Sequence, residues 1–238
     1  MSTRFLSYFH GLKKTYVALL ELGVGTDSLD CEGQITQTVS VPDMSKIDLR
    51  KIETQFTGEI TQTPPVFSNV KLDGVRARKR ARAGENVSLP SRKVSVSALS
   101  IAGVSSNQLR IHCTVSAGTY IRTLAADIAH ALGTVGHLTA LRRLQIGDFS
   151  VGKTPTVKNT LLSMLTDVEA LPFLPLISLE LDDAKKFANG RRFSIQNYKD
   201  GLYRVMCAEV FLGIGKIKAL QIATEQVIPF VQEQLTKR

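Results

Sequence analysis

Cysteine is scarce: Cys31, Cys113 and Cys207 are the only three in 238 residues. They are odd in number and far apart, with no CxxC pair, which excludes a disulfide framework. Reduced, mostly buried thiols are expected. Histidine is equally sparse, and the scatter of His10, His112, His130 and His137 leaves no metal-ligand spacing. No apolar run approaches the roughly 20 residues that span a bilayer. The opening "MSTRFLSYFHGLKK" carries neither a basic-then-apolar signal segment nor a lipidation motif. A cytoplasmic protein with no membrane partner is the expectation. Acidic residues also run short, at 21 against 30 Lys and Arg, for a net charge of +9.

What is present is uneven. Lys71, Arg76, Arg78, Lys79, Arg80, Arg82, Arg92 and Lys93 lie in one stretch opposed only by Asp73 and Glu85, so eight bases less two acids place +6 of the +9 there. Clustered cations attract a polyanion by releasing its condensed counterions. A charge run is more often a solvated helix face. Here "RARKRAR" packs five bases without an acid, which favours nucleic-acid contact. No helix-turn-helix or zinc pattern accompanies it, so DNA is not expected as the partner.

"KTYVALLELGVG" reads as a strand and "QITQTVSV" as a second, joined by a turn that contains Asp27, Asp30 and Gly33. Asp and Ser in such a turn bond their own backbone, and Asp27 and Asp30 fit that role. Ile47, Ile52 and Phe56 predict a helix from Ser45 to Phe56, begun by Ser45 or Asp43. "GEITQTPPVFSNVKLDG" is expected to be a long, exposed, irregular loop, because Pro64 and Pro65 lack backbone donors.

Leu109, Ile111, Cys113 and Val115 alternate as a half-buried strand. After "SAG", Ile121, Leu124, Ala125, Ile128, Ala131 and Leu132 follow helical spacing, with Thr119 as N-cap and Gly133 as stop. Arg122 then sits in the first helical turn, where a cation opposes the macrodipole. That misfit points to an anion or an ion-pair partner. A second helix over "VGHLTALRRL" and a strand over "QIGDFSV" are predicted to follow. A break near Leu171 separates a tail with one short helix, "LDDAKKFANG", and three strand-like runs around Tyr203, Gly213 and Ile222. Domains of 1–170 and 171–238 are expected.

"KTYVALLELGVGTDSLDCEGQI", "GEITQTPPVFSNVKLDGVRA", "SAGTYIRTLAADIAHALG" and "HLTALRRLQIGDF" together resemble the bacterial tRNA pseudouridine synthases of the TruB type, over roughly Arg4 to Val151. The tail is weakly similar to that family's small RNA-binding C-terminal domain, of PUA-like type. The resemblance implies an α+β fold: a mixed domain around a largely antiparallel sheet, plus a small β-rich C-terminal domain. It implies isomerisation of uridine 55 in the TΨC loop of tRNA, by a monomer, with no metal, nucleotide or organic cofactor. The target base must leave the folded loop and stack on an aromatic ring.

By the same resemblance Tyr16 matches the base-stacking tyrosine, and Arg122 the arginine that pairs with the catalytic carboxylate. Tyr120 and Leu141 match positions lining the uridine pocket. Lys71, Arg76, Arg78, Lys79, Arg80 and Arg82 match a region that contacts the RNA loop. Arg78 stands where a tyrosine is common.

One departure weighs more. The family's nucleophilic aspartate sits in a motif like Gly-His-x-Gly-x-Leu-Asp-Pro, which would precede "STRFLSYFHGLKKTY"; no Gly-His-x-Gly and no Leu-Asp-Pro occurs in the sequence. "SLDCEG" shares a Leu-Asp step with it. Asp30, however, fits the family's own Thr-Asp-x-x-Asp-x-x-Gly turn and is not read as the nucleophile. Either Met1 is internal to a longer reading frame or the gene has lost its front; the first is preferred because the remaining pocket residues look intact. A strand edge and apolar surface would then stand exposed. The alternative function is a tRNA-binding protein without catalysis.

Overall fold

The structure is a computed structural model that describes residues 2–153, 166–229 and 231. It forms two compact units, Met1–Thr154 and Pro155–Arg238.

In the first unit a 3₁₀ helix, Ser2–Phe9, leads into strand β1 (Lys14–Leu22), which buries Ala18, Leu20 and Leu22 on one face. A small hairpin follows, β2 (Val24–Thr26) and β3 (Ile35–Thr38), then helix α1 (Leu49–Gln55) and strand β4 (Gly58–Gln62). Next come β5 (Lys71–Leu72), β6 (Val75–Arg76) and helix α2 (Ala77–Arg82). Strands β7 (Arg92–Gly103) and β8 (Gln108–Val115), helix α3 (Ile121–Ala131), and strands β9 (Gly136–Ile146) and β10 (Phe149–Ser150) complete it.

Six strands form one antiparallel sheet in the order β10-β9-β1-β8-β7-β4. Leu20 lies between Leu109 of β8 and Leu138 of β9. Helix α3 lays Leu124, Ala125, Ile128 and Ala129, all fully buried, against this face. That spacing is one stripe of a 3.6-residue period.

Three expectations need correction. "VGHLTALRRL" is not a helix: from Gly136 on its residues belong to β9, which pairs along the whole of β1. Leu, Ala and Arg favour helix locally, but pairing with a distant strand overrides so weak a preference. The alternation that would have betrayed a strand is missing, because Ala140, Leu141, Arg142 and Arg143 are all exposed. The helix expected over Ser45–Phe56 is split. Asp43 caps a 3₁₀ turn at Met44–Lys46 by accepting from Ser45 N–H at 3.1 Å, and Asp48 caps α1 by accepting from Arg50 N–H at 3.1 Å. The run from Gly58 begins as a strand, with Ile60 opposite Val94 of β7, and turns irregular only after Gln62. Pro64 and Pro65 are buried, not exposed.

The second unit holds β11 (Leu176–Ser178), α4 (Leu181–Ala188), β12 (Phe193–Ser194), β13 (Gly201–Cys207), β14 (Val210–Lys218) and β15 (Gln221–Val227). Its sheet runs β11-β13-β14-β15-β12, parallel only between β11 and β13. Phe187 of α4 is fully buried against it. The fold is therefore α+β, a largely antiparallel domain followed by a β-rich one. No helix among the described residues is long and apolar enough to cross a membrane.

Candidate active site

The turn between β2 and β3 folds around its own acids. Asp27 Oδ1 accepts from Gln34 N–H at 2.9 Å. Asp30 Oδ1 accepts from Ser28 Oγ at 2.5 Å and from Glu32 N–H at 3.2 Å, as the turn chemistry predicts. Gly33 is required here: a Cβ would collide with Ser28 Oγ and Asp27 Oδ1. Asp30 has a second oxygen to satisfy, and it reaches beyond the turn. Arg122 Nη1 donates to Asp30 Oδ2 at 2.8 Å.

Arg122 joins three segments. Besides Asp30, its Nη1 donates to Ser28 O and its Nη2 to Phe67 O, each at 2.9 Å. A carboxylate and two carbonyls thus offset the unfavourable place of a cation in the first turn of α3. The turn start is itself held from outside. Tyr120, not Thr119, is the N-cap residue, and its own side chain makes no capping bond. Thr119 Oγ1 donates instead to Ser116 O at 3.0 Å. Gln62, only 1% exposed, substitutes for the cap: its Oε1 accepts from Tyr120 N–H at 3.1 Å and its Nε2 donates to Tyr120 O at 3.3 Å.

Burial pushes the Asp30 carboxyl up, but the bonds from Ser28 and Glu32 and the charge and bond of Arg122 outweigh it and hold it below the usual carboxylate range. The Asp30–Arg122 pair, about a quarter exposed on each side, divides two cavities. One, of about 310 Å³, is lined by Asp27, Gly33, Phe67, Arg78 and Arg82 besides the pair. The other, of about 260 Å³, adds Cys31, Leu138 and Leu141.

The residues picked out in the sequence divide accordingly. Arg122, Leu141, Arg78 and Arg82 meet at these cavities. Tyr16 is opposite Arg143, and Leu141 opposite Ala18, so the pleat puts both side chains on the α3 face of the sheet. Tyr16 packs against the core there and lines neither cavity. The Tyr120 ring is elsewhere, under the Arg92 guanidinium at 5.0 Å from its centroid. Lys71 pairs with Arg76 in the β5–β6 hairpin, both exposed. Arg80 is taken up by Leu72 O at 3.2 Å, Asp73 at 3.3 Å and Glu85 at 3.8 Å. Lys79 is exposed.

Sequence reasoning missed Asp30 as the acid beside Arg122, assigning it to the turn alone. It also missed Gln62, whose only signal is a polar residue ending the β4 run just before the paired prolines. Two of the three free cysteines, Cys113 and Cys207, are buried, and burial pushes the Cys113 thiol up to about 12; Cys31 is exposed.

Comparison with known proteins places the chain in a family. Residues 1–121 match the TruB family pseudouridylate synthase N-terminal domain, and residues 122–171 the tRNA pseudouridylate synthase B C-terminal domain. The tRNA pseudouridine synthase B of Psychrobacter cryohalolentis is 41% identical over 171 residues, covering 72% of this chain and 45% of that protein. That of Dechloromonas aromatica is 37% identical over 223 residues, covering 90% and 74%. The chain thus spans less than half the length of some relatives and about three quarters of others. A crystal structure of a Cbf5-Nop10-Gar1 complex shares the fold, with a TM-score of 0.65 over 94% of this chain and 69% of that one, at 19% identity. On these matches the chain belongs to the TruB family of pseudouridylate synthases.

Proposed function

We propose that this chain frames the active site of a tRNA pseudouridine synthase acting on uridine 55 of the TΨC loop, and that the nucleophilic aspartate is not among its 238 residues. The observation that carries this reading is the Arg122 guanidinium, fixed by Asp30, Ser28 O and Phe67 O where the two cavities meet. A cation pinned by three acceptors is oriented before substrate arrives, as preorganised electrostatic stabilisation requires.

In this reading the RNA loop lies over α2, with Lys71, Arg76, Arg78, Lys79 and Arg82 on phosphates. The flipped uridine is directed toward the cavity beside Leu141, with Tyr16 as its platform and Tyr120 shaping the approach. Residues 171–238 add RNA contact as a PUA-like domain, and the protein works as a cytoplasmic monomer. The reaction breaks the N1–C1′ glycosidic bond, turns the base and forms the C5–C1′ bond; the C5 hydrogen leaves as a proton and N1 takes one up, so the product is an isomer of the substrate. Asp30 serves as the resident counter-ion of Arg122.

Tritium release from unmodified tRNA carrying 5-tritiated uridine, measured beside tRNA binding on the same folded sample, tests this. Binding without release is expected. Release that disappears in Asp30→Asn would make Asp30 the nucleophile. Absence of tRNA binding would overturn the reading and its non-catalytic, tRNA-binding alternative together.

A further inference from the structure

Arg92 is one of the eight bases in the cationic stretch of the sequence, and its contacts withdraw it from that surface. It ends the β4–β7 ladder directly opposite Gln62, so both side chains leave the sheet on the same face. Both reach the turn that starts α3. Gln62 holds the backbone of Tyr120 through its amide. Arg92 holds what Gln62 leaves free: its Nη2 donates to Gly118 O, and its guanidinium lies 5.0 Å from the centroid of the Tyr120 ring. Gly118 turns at a φ of 84°, and a Cβ on it would lie only 3.5 Å from the guanidinium carbon, so arginine and turn are in contact. No acid pairs with Arg92 among the described residues; the π face of the ring and one carbonyl answer its charge. Its Nε is buried and has no acceptor there. A guanidinium turned outward would hydrate that group, so the ring and Gly118 O set its direction. The neighbouring Lys93 points to the other face of the sheet and pairs with Glu59 at 2.7 Å. The last two bases of the stretch are thus engaged within the protein.

We propose that Arg92 is a positioning residue for uridine capture: it fixes the Tyr120 ring, and with it the wall past which the flipped base enters, instead of binding phosphate. This deepens the proposed function and rests on it. A ring held by its face and by both of its backbone groups loses little freedom when a base arrives. The base-dependent part of RNA recognition therefore depends on Arg92, and the phosphate-dependent part does not. Arginine suits the task because its flat guanidinium stacks on a ring while donating to a carbonyl, which a point-like ammonium does poorly.

The test uses the full chain and two labelled TΨC stem-loop RNAs, one with uridine at position 55 and one abasic there, followed by fluorescence anisotropy over a salt series. The uridine RNA should bind about tenfold more tightly than the abasic one, the scale of one stacked base. Arg92→Ala and Arg92→Lys should each shrink that ratio to about twofold, and Arg92→Ala should move the slope of log affinity against log salt by less than about 0.5. In a Tyr120→Ala background neither change should shrink the ratio further, because Arg92 acts through that ring; a loss of stability alone would not give this pattern. A slope that falls by about 1 with the ratio intact makes Arg92 a phosphate contact and overturns the inference. So does a ratio of about one in the unaltered chain, or a ratio that survives both substitutions. Binding of neither RNA overturns the proposed function itself, which tells the two failures apart.

Discussion

Two cationic regions border the cavity of about 310 Å³, and they are built differently. Arg122 makes three bonds to groups from two other segments, the β2–β3 turn and the loop at Phe67, among them the carboxylate of Asp30. In the α2 region Lys71, Arg76, Lys79 and Arg82 are exposed, and only Arg80 is tied down, by Asp73, Glu85 and Leu72 O. A side chain locked by three acceptors has little freedom left to lose and holds its direction; one in water adds charge and adapts to whatever phosphate arrives. The first suits orientation at a reacting centre and the second suits affinity.

The largest effect that would sharpen this contrast is on binding. Replacing Arg76, Lys79 and Arg82 together by Ala should lower the slope of log affinity for tRNA against log salt by roughly 2 to 3, which is on the order of a hundredfold at physiological salt. Arg80→Ala, because its guanidinium is already occupied by acids, should move the slope by less than about 1. Filter binding over a salt series measures both. Equal slopes for Arg80→Ala and Lys79→Ala would break the distinction drawn between anchored and free charges.

Arg122→Ala should act the other way round, on stability more than on tRNA affinity. It leaves Asp30, Ser28 O and Phe67 O without their shared donor, and costs about 2 kcal/mol after allowance for the pair's partial exposure. Urea unfolding followed by circular dichroism gives the figure. A large loss of tRNA affinity with unchanged stability would make Arg122 an RNA contact like those of α2. Gln62→Ala should cost somewhat less, about 1 to 2 kcal/mol, since it orphans the Tyr120 N–H at the buried start of α3 and removes one of the two donors to Tyr120 O, which keeps Leu124 N–H at 3.0 Å. Gln62→Glu keeps only the acceptor, so it should recover part of that loss; recovery of none would assign Gln62 to packing rather than capping.

How much of this was legible follows from which interactions are local. The alternation in β8 and the 3.6-residue stripe of α3 are both written within one element, and both were readable. Arg122 stood out for the same reason, since a cation in a first helical turn is a local misfit. Its answer was not local: Asp30 is 92 positions away, and nothing in the turn tells that one oxygen is left over after Ser28 and Glu32 are served. Strand β9 was hidden similarly. At Ala140–Arg143 neither face of the sheet is covered and all four residues are exposed, so there is no alternation to read. The basic run displayed its charge plainly but not its division of labour, because the acids that occupy Arg80 approach from either end of the segment.

The smallest expected effect concerns pH, and it tests whether the Asp30–Arg122 pair behaves as one unit. The folded-state pKa of Asp30 is depressed below the ordinary 3.8 by its hydrogen bonds and by Arg122. A depressed carboxyl contributes stability that is fully present above the unfolded pKa and is lost as pH falls through the folded one. Unfolding free energy should therefore be flat from neutrality down to about pH 5 as far as this group is concerned, and decline below about pH 4. Solvent screening of a pair that is a quarter exposed keeps the contribution below about 1 kcal/mol. Asp30→Asn should remove that part of the acid slope while keeping the acceptor for Ser28, and in an Arg122→Ala background the same change should remove less. Equal effects of Asp30→Asn in both backgrounds would mean that the turn's own hydrogen bonds, not Arg122, hold the carboxylate charged, and that the locked cation and its counter-ion are energetically separate.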